Sequence, residues 1–380
     1  MKEKKREFIA ETEDKYDRLL QQARWKSKEE EKRHQKALEI IEKREEVLAF
    51  IERKSKMLVK EYMAQFLKKD LFTYYKELVT NKEYMRELES SLSDEQIEFL
   101  TENMTILLKK KRYEIEDTGA LLYLHHQLFG FKEPIKIRNV VIDEAQDFSL
   151  FQLFVLKKIV NTDLFSVLGD LSQGIHSYRG IQNWDRVMES IFPNAAFRTL
   201  EQSYRTTVEI MNVANEIIRQ SQVPDLLLAK PVVRHGEKPF FISYEEVFAV
   251  SLAENIQQMK EKGYKSVAII GKTMEECRRI EDQIKKLVEI PVRVLLGEEE
   301  YQTDEIVIVP AHIAKGLEFD VVFVVTVDEM YGLDDLEVKL LYVAMTRPLH
   351  RLFVYYQGKQ YPLLEKVNPE VYQLEGGDRK

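Results

Sequence analysis

The chain has 380 residues, with 57 Lys+Arg against 65 Asp+Glu, a hydrophobic fraction of 44% and an aromatic fraction of 10%. That length corresponds to two or three domains, and that apolar content repays the entropy of ordering them, so a wholly disordered chain is excluded. No run of about 18 apolar residues occurs, which leaves no helical membrane span, and the N-terminal stretch MKEKKREFIAETEDKYDRLL has no apolar core of a signal peptide. The single cysteine, Cys277, excludes a disulfide scaffold or a zinc cluster and fits a reducing cytoplasm. A net charge of −8 gives no overall attraction to nucleic acid, so any such binding needs local patches.

Met1 through Thr118 contains no Gly and no Pro. So long a stretch without breakers reads as helices joined by short turns. The expected helices cover about 3–24, 28–68, 70–79, 82–91 and 94–110. Ser27-Lys-Glu-Glu30 and Ser93-Asp-Glu-Gln96 both fit a capping box, in which a hydroxyl and a side chain three residues later satisfy each other's backbone donors. Ile41, Leu48, Ile51, Leu58, Tyr62 and Phe66 recur at three-, four- and seven-residue steps, which predicts one buried stripe.

From about residue 135 apolar runs alternate with helical stretches: IRNVVID, FSVLGD, AFRTL, PFFISY, SVAIIG, IVIVPA, DVVFVVTV and RLFVYY. Near-continuous apolar strands separated by helices indicate parallel sheets covered on both faces. The expected organisation is a helical region over 1–118, two α/β segments over 119–200 and 201–365, and a frayed tail over 366–380.

Five segments carry residues suited to chemistry. The strand 138–142 delivers Asp143 and Glu144 at its C-terminal end, where open α/β sheets bind ligands. Adjacent carboxylates there suit nucleotide hydrolysis, with Asp143 holding Mg²⁺ through water and Glu144 polarising the attacking water. In Gly169-Asp170-Leu171-Ser172-Gln173-Gly174-Ile175-His176-Ser177-Tyr178-Arg179-Gly180, Gln173 can hydrogen-bond a phosphate oxygen and Tyr178 offers a face for base stacking. Arg205, in LEQSYRTT, is placed by the following helix start to reach phosphate oxygens. Pro310-Ala-His312-Ile-Ala-Lys315-Gly316-Leu-Glu318-Phe319-Asp320 lies between two strands, and Tyr342-Val-Ala-Met-Thr346-Arg347 lies on the helix before strand 351–356. Taken singly, each of these last segments also has an ordinary structural reading.

In order, DEAQD, GDLSQGIHSYRG, LEQSYRTT, HIAKGLEFDVV and YVAMTR resemble motifs II to VI of superfamily 1 helicases of the UvrD/Rep type. The resemblance spans residues 138–354, somewhat more than half the chain. It implies two RecA-like lobes, with ATP and Mg²⁺ bound between them. By motif, Asp143 and Glu144 look like the Mg²⁺ and catalytic pair, and Gln173 looks like the γ-phosphate sensor. Tyr204 looks like the adenine-stacking residue, and Gly316 and Glu318 look like ATP contacts, Glu318 at the ribose. Arg205 and Arg347 look like the paired arginine fingers, and Tyr178 and His312 look like single-strand contacts. The implied partner is single-stranded DNA or other nucleic acid, acted on by a monomer.

Two departures from the family pattern matter. The phosphate loop G-x-x-x-x-G-K-[ST] is missing; Gly271-Lys272-Thr273 follows the strand SVAII with no glycine-rich loop and lies in the second lobe. The first lobe is therefore expected to be incomplete, the chain to be the C-terminal portion of a longer protein, and this chain alone to be inactive. The large insertion of UvrD and Rep between motifs IV and V is also absent, since Thr207 to Ile306 spans only about a hundred residues. A large helical region before motif II without that insertion is similar to the HelD group, once described as DNA helicase IV-like, which acts on RNA polymerase. The alternatives are a 3′–5′ DNA helicase of repair or recombination and a non-catalytic binding protein retaining the fold.

Overall fold

The computed structural model describes residues 2–25, 30–65, 69–131, 137–160, 162–176, 178–223, 226–232, 234–245, 247–297, 305–328, 330–358 and 361–375. The chain forms two compact units, Met1–Arg112 and Tyr113–Lys380.

The described residues of the first unit form helices joined by short turns: α1 (Lys2–Trp25), α2 (Glu30–Gln65), α3 (Leu71–Thr80), α4 (Lys82–Leu88) and α5 (Asp94–Lys109). Helices α1 and α2 run antiparallel, as the pairs Asp17–Arg44 and Lys5–Glu52 require. Ile41, Leu48 and Ile51 are half-buried, as the stripe predicts, but Leu58 is 55% exposed. Lys5 near the start of α1 already pairs with Glu52, so Leu58 extends past the partner helix and stays exposed among the described residues. The Tyr62 side chain, Phe66 and the Ser27 capping box lie outside the described residues. The second box is present: Ser93 accepts from the Gln96 amide and Gln96 accepts from the Ser93 amide. Helices α3 and α4 begin on Asp70 and Asn81, whose side chains accept from backbone N–H groups of the first turn.

The second unit opens with α6 (Ile115–Leu128) and continues as two lobes. In the first, β1 (Val140–Ile142) and β2 (Phe165–Val167) pair in parallel through Val140–Phe165 and Ile142–Val167, connected by α7 (Leu150–Ile159) and followed by α8 (Trp184–Ser190). Ile142, Ala145, Leu153, Ile181, Val187 and Ile191 form its small core. The expected strand AFRTL is irregular, with Phe197 and Leu200 49% and 88% exposed. No strand among the described residues lines the open edge of β1 or β2, and a strand without a partner does not form.

The connection to the second lobe runs through a short pair, β3 (Gln202–Ser203) with β4 (Lys230–Pro231), flanking α9 (Val208–Ile218). The lobe then alternates β5 (Phe240–Tyr244), α10 (Ala249–Glu261), β6 (Val267–Gly271), α11 (Met274–Ile284), β7 (Val292–Val294), β8 (Ile306–Pro310), β9 (Phe319–Val325), α12 (Asp335–Met345), β10 (Pro348–Gln357) and β11 (Gln373–Glu375). The sheet is parallel, in the order β11-β5-β10-β9-β6-β8-β7. Successive side chains point to opposite faces, so each apolar strand feeds two cores. Ala268, Ile270, Val322, Val324 and Val354 pack beneath α9 and α12, whereas Val267, Ile269, Val321, Phe323 and Phe353 pack against α10 and α11. Residues 366–375 are not frayed as expected: β11 closes the sheet edge on β5, and Tyr372 packs edge-on against Phe241 at 5.3 Å. Residues 376–380 lie outside the described residues. The fold is thus α/β with a parallel sheet, preceded by an all-helical region. Among the described residues, no helix is long and apolar enough to cross a membrane.

Candidate active site

Asp143 and Glu144 leave the C-terminal end of β1 and are exposed. Asp143 Oδ1 accepts from the Glu144 amide at 2.8 Å, and Glu144 takes left-handed backbone angles, φ 50° and ψ 36°. A non-glycine residue there carries strain, which persists where surrounding contacts determine it. Those contacts come from Gln146, 1% exposed, whose Nε2 donates to Glu144 Oε2 while its Oε1 accepts from the Asp170 amide at 2.9 Å. A Cβ at Gly169 would lie 2.6 Å from Gln146 Oε1, and one at Gly180 would lie 2.3 Å from its carbonyl oxygen. Gly169 and Gly180 are therefore required by the close passage of this glutamine.

Gln173 is aimed by Asp170, whose Oδ2 accepts from its Nε2 at 2.7 Å, leaving Oε1 turned toward the second lobe. There it accepts from Arg347 Nη2 at 3.0 Å. Arg347 is fully buried and follows α12, two residues beyond its last turn and not on the helix as expected. Its other donors reach Val343 O at 2.9 Å, Thr346 Oγ1 at 3.1 Å and Leu317 O at 3.5 Å. All of these acceptors are neutral. Burial, then repulsion from Arg205, pulls the Arg347 guanidinium down to about 10, against attraction from Glu144, Tyr342 and Glu318. A buried cation without a carboxylate in contact is costly, and a bound anion offsets that cost.

Arg205 is half-exposed, and its Nε lies 2.7 Å from Glu318 Oε1. The approach to Glu318 passes through Gly316 at φ +84°, a left-handed turn that glycine adopts without penalty. Tyr204 donates to Gln202 Oε1 at 2.9 Å and keeps its ring 68% exposed. Tyr178 is 76% exposed, and His312 lies on the exposed surface of the loop after β8. Partial desolvation lowers the His312 imidazole from its ordinary range. His176 is lowered by burial first, then by the charges of Arg179, Lys315 and His312, against Asp147.

The lobes thus bring together Gln173 with Arg347, and Arg205 meets Glu318 on the second-lobe side. Asp143 accepts a hydrogen bond from its own loop, and Tyr204 and Tyr178 stand open to solvent. Three residues the motif reading assigned no role join the site. Lys315, with a side chain only 10% exposed, crosses from the second lobe to Asp147 Oδ2 at 2.7 Å and lies 3.4 Å from Glu144 Oε2. Gln146 holds Glu144, as described. Lys315 and Asp147 are 168 positions apart, and no spacing rule joins them; only their presence within two of the quoted motifs marks them. Gly271-Lys272-Thr273 builds no phosphate cradle. Thr273 caps α11, Glu276 accepts from the Lys272 amide at 2.9 Å, and Lys272 Nζ pairs with Glu337 Oε1 at 2.7 Å.

Two family models match the chain: the UvrD/REP helicase N-terminal domain over residues 2–190 and the UvrD-like helicase C-terminal domain over residues 305–355. It is 27% identical over 218 residues to the ATP-dependent DNA helicase PcrA of Leuconostoc citreum, an alignment covering 54% of this chain and 29% of that protein. DNA helicase II of Haemophilus influenzae is 28% identical over 211 residues, covering 51% and 28%. A solved C-terminal domain of a possible DNA helicase from Lactobacillus plantarum aligns with 46% of this chain and 99% of its own length, at 27% identity and a TM-score of 0.37. The chain spans less than a third of the length of these curated relatives. Matched by both helicase domain models and carrying the motifs in their order, the chain belongs to the superfamily 1 helicases of the UvrD/Rep type.

Proposed function

We propose that this chain carries the two-lobed part of an ATP-driven nucleic-acid motor. The observation that supports it most directly is Arg347, a fully buried cation bonded only to neutral groups, one of which is Gln173 of the opposite lobe. An anion bound at that junction would neutralise Arg347 and draw the lobes together, with Arg205 released from Glu318 to serve as the second cation. Positioning and charge neutralisation are the main contributions a protein makes to phosphoryl transfer. In this reading Glu144 polarises the attacking water, Gln173 reads the γ-phosphate, Tyr204 stacks on adenine, and Gly316 and Glu318 line the ribose side. Tyr178 and His312 contact a single strand of DNA.

Mg²⁺ fits the donor set only as a water-mediated ion: Asp143 would hold it, and no group of three or more metal-ligating side chains exists among the described residues. The ion supplies charge neutralisation on phosphate oxygens.

The finer assignment to the HelD group, acting on RNA polymerase as a cytoplasmic monomer, rests on architecture: the long helical region ahead of Asp143 and the short span from Thr207 to Ile306. The N-terminal helicase model runs through that helical region from residue 2, which favours the DNA helicase reading equally.

The decisive assay is nucleotide binding and steady-state turnover by residues 1–380, with and without single-stranded DNA, beside Glu144→Gln and Arg347→Gln. We expect nucleotide binding that Arg347→Gln weakens and no useful turnover, because no glycine-rich loop supplies a cradle of backbone N–H groups and lysine. Turnover of about one per second that vanishes in Glu144→Gln would reveal a phosphate-binding element elsewhere in the chain. No nucleotide binding at any concentration would refute the motor reading.

A further inference from the structure

Glu116, in the first turn of α6, meets the Tyr178–Arg179 turn from 63 positions earlier in the chain. Its Oε1 accepts from Arg179 Nη1 at 3.0 Å. Burial pushes the Glu116 carboxyl up, but its own backbone N–H, Arg179 and the Tyr178 side chain outweigh this, and it ends below its ordinary value. The carboxylate therefore stays charged at neutral pH.

The amides of Arg179 and Gly180 both donate to His176 O, at 3.0 and 2.7 Å, and the Arg179 guanidinium lies 5.6 Å from the centre of the Tyr178 ring. Arg179 Nε is buried and has no hydrogen-bond partner among the described residues, so the guanidinium fork is only partly used. Tyr178 is 76% exposed whereas the Arg179 side chain is 15% exposed. The stacking face is open, and the cation beside it is occupied by a carboxylate. A guanidinium recognises carboxylate and phosphate oxygens with the same planar donors, so Glu116 sits where a strand phosphate beside a base stacked on Tyr178 would go.

We propose that Glu116 is an intramolecular stand-in for a nucleic-acid phosphate, and that it must leave Arg179 before a single strand is held there. Glu116 thereby sets the strand affinity of this face. The inference rests on the reading of Tyr178 as a strand contact, and the experiment separates the two.

The test is fluorescence anisotropy with a labelled oligo(dT) of about 12 nucleotides, using residues 1–380 and the variants Glu116→Gln, Arg179→Ala, the double variant and Glu189→Gln. A half-exposed ion pair holds the arginine by up to about 1 kcal/mol, so Glu116→Gln should tighten binding roughly two- to fivefold. It should also steepen the salt dependence by about 0.7, the value of one added phosphate contact on a single strand. Arg179→Ala should weaken binding, and the double variant should show no gain over Arg179→Ala. Glu189→Gln, on the exposed side of α8, removes the same charge elsewhere and should change nothing. A gain of affinity cannot arise from damage to the fold, so unchanged or weaker binding by Glu116→Gln, with Arg179→Ala weakened, overturns the proposal and leaves the strand-contact reading intact. An equal gain in Glu189→Gln overturns it as a net-charge effect. Wild type and every variant failing to bind overturns both.

Discussion

Among the described residues, the second lobe carries seven parallel strands with an apolar core on each face, and the first lobe carries two strands and one small core. Val141, on β1, is 71% exposed, whereas Val324, on β9, is fully buried. Yet Asp143 and Glu144 sit on the thin lobe. The contacts that hold them come partly from within, through Gln146, and partly from the thick lobe, through Arg347 on Gln173 and Lys315 on Asp147. The difference teaches that the second lobe supplies a rigid platform for two cations, while the geometry of the first lobe's site depends on buried polar contacts more than on apolar packing.

The largest expected effect is on stability. Phe323→Ala, in the centre of β9, should cost about 3–5 kcal/mol in urea unfolding, from lost burial and the cavity left behind. Val141→Ala should fall within about 0.5 kcal/mol. A comparable loss for Val141→Ala would break the comparison by showing that β1 is packed more tightly than its exposure implies.

Next comes the buried cation. Arg347→Gln should weaken binding of a fluorescent ATP analogue by roughly 10- to 100-fold, the equivalent of one or two charge-assisted hydrogen bonds of about 1.5–3 kcal/mol. Glu144→Gln should leave that affinity nearly unchanged, because a residue that orients water does not carry ground-state binding. Equal losses in both variants would merge the two roles and blur the division between lobes.

Lys315→Met removes the ammonium that joins the lobes at Asp147. Its partners are partly exposed, which screens the pair, so the loss should be about 1 kcal/mol. It should be local. Hydrogen exchange at residues 145–147 should accelerate while β6 and β9 stay protected. Uniform acceleration across both lobes would sharpen the comparison the other way, making Lys315 part of the global fold.

The smallest effect is with pH. His176, His312 and His350 all lie below the ordinary imidazole value, by burial first in each case. The folded chain therefore binds fewer protons than the unfolded chain as pH falls through the imidazole range. Stability is present above the ordinary value of about 6.5 and is lost as pH drops below it. Melting temperature should fall between about pH 7.5 and pH 5.5, above the titration range of ordinary carboxylates. The fall should be smaller in His176→Gln, which removes the imidazole facing Arg179, Lys315, His312 and Asp147. An undiminished fall would assign the acid sensitivity away from the lobe junction.

What the sequence by itself determined is local and periodic. The breaker-free first 118 residues read as helices, and Ser93–Gln96 reads as a cap, because both are decided within one or two turns of chain. The apolar runs of the second lobe read as parallel strands because both faces are buried, and the motif residues stand in their order along the chain. What only the tertiary structure decided is pairing between distant groups. AFRTL has strand composition but no neighbour, whereas the polar-flanked Gln373–Glu375 becomes a strand because β5 offers an edge. The burial of Arg347, its bond to Gln173, the reach of Lys315 to Asp147 and the Glu116–Arg179 pair all join positions dozens to more than a hundred residues apart. The physical reason is that burial and charge compensation depend on what surrounds a group in space. A linear pattern encodes which residues can form a strand or a helix; it does not encode which edge, cation or carboxylate each will meet.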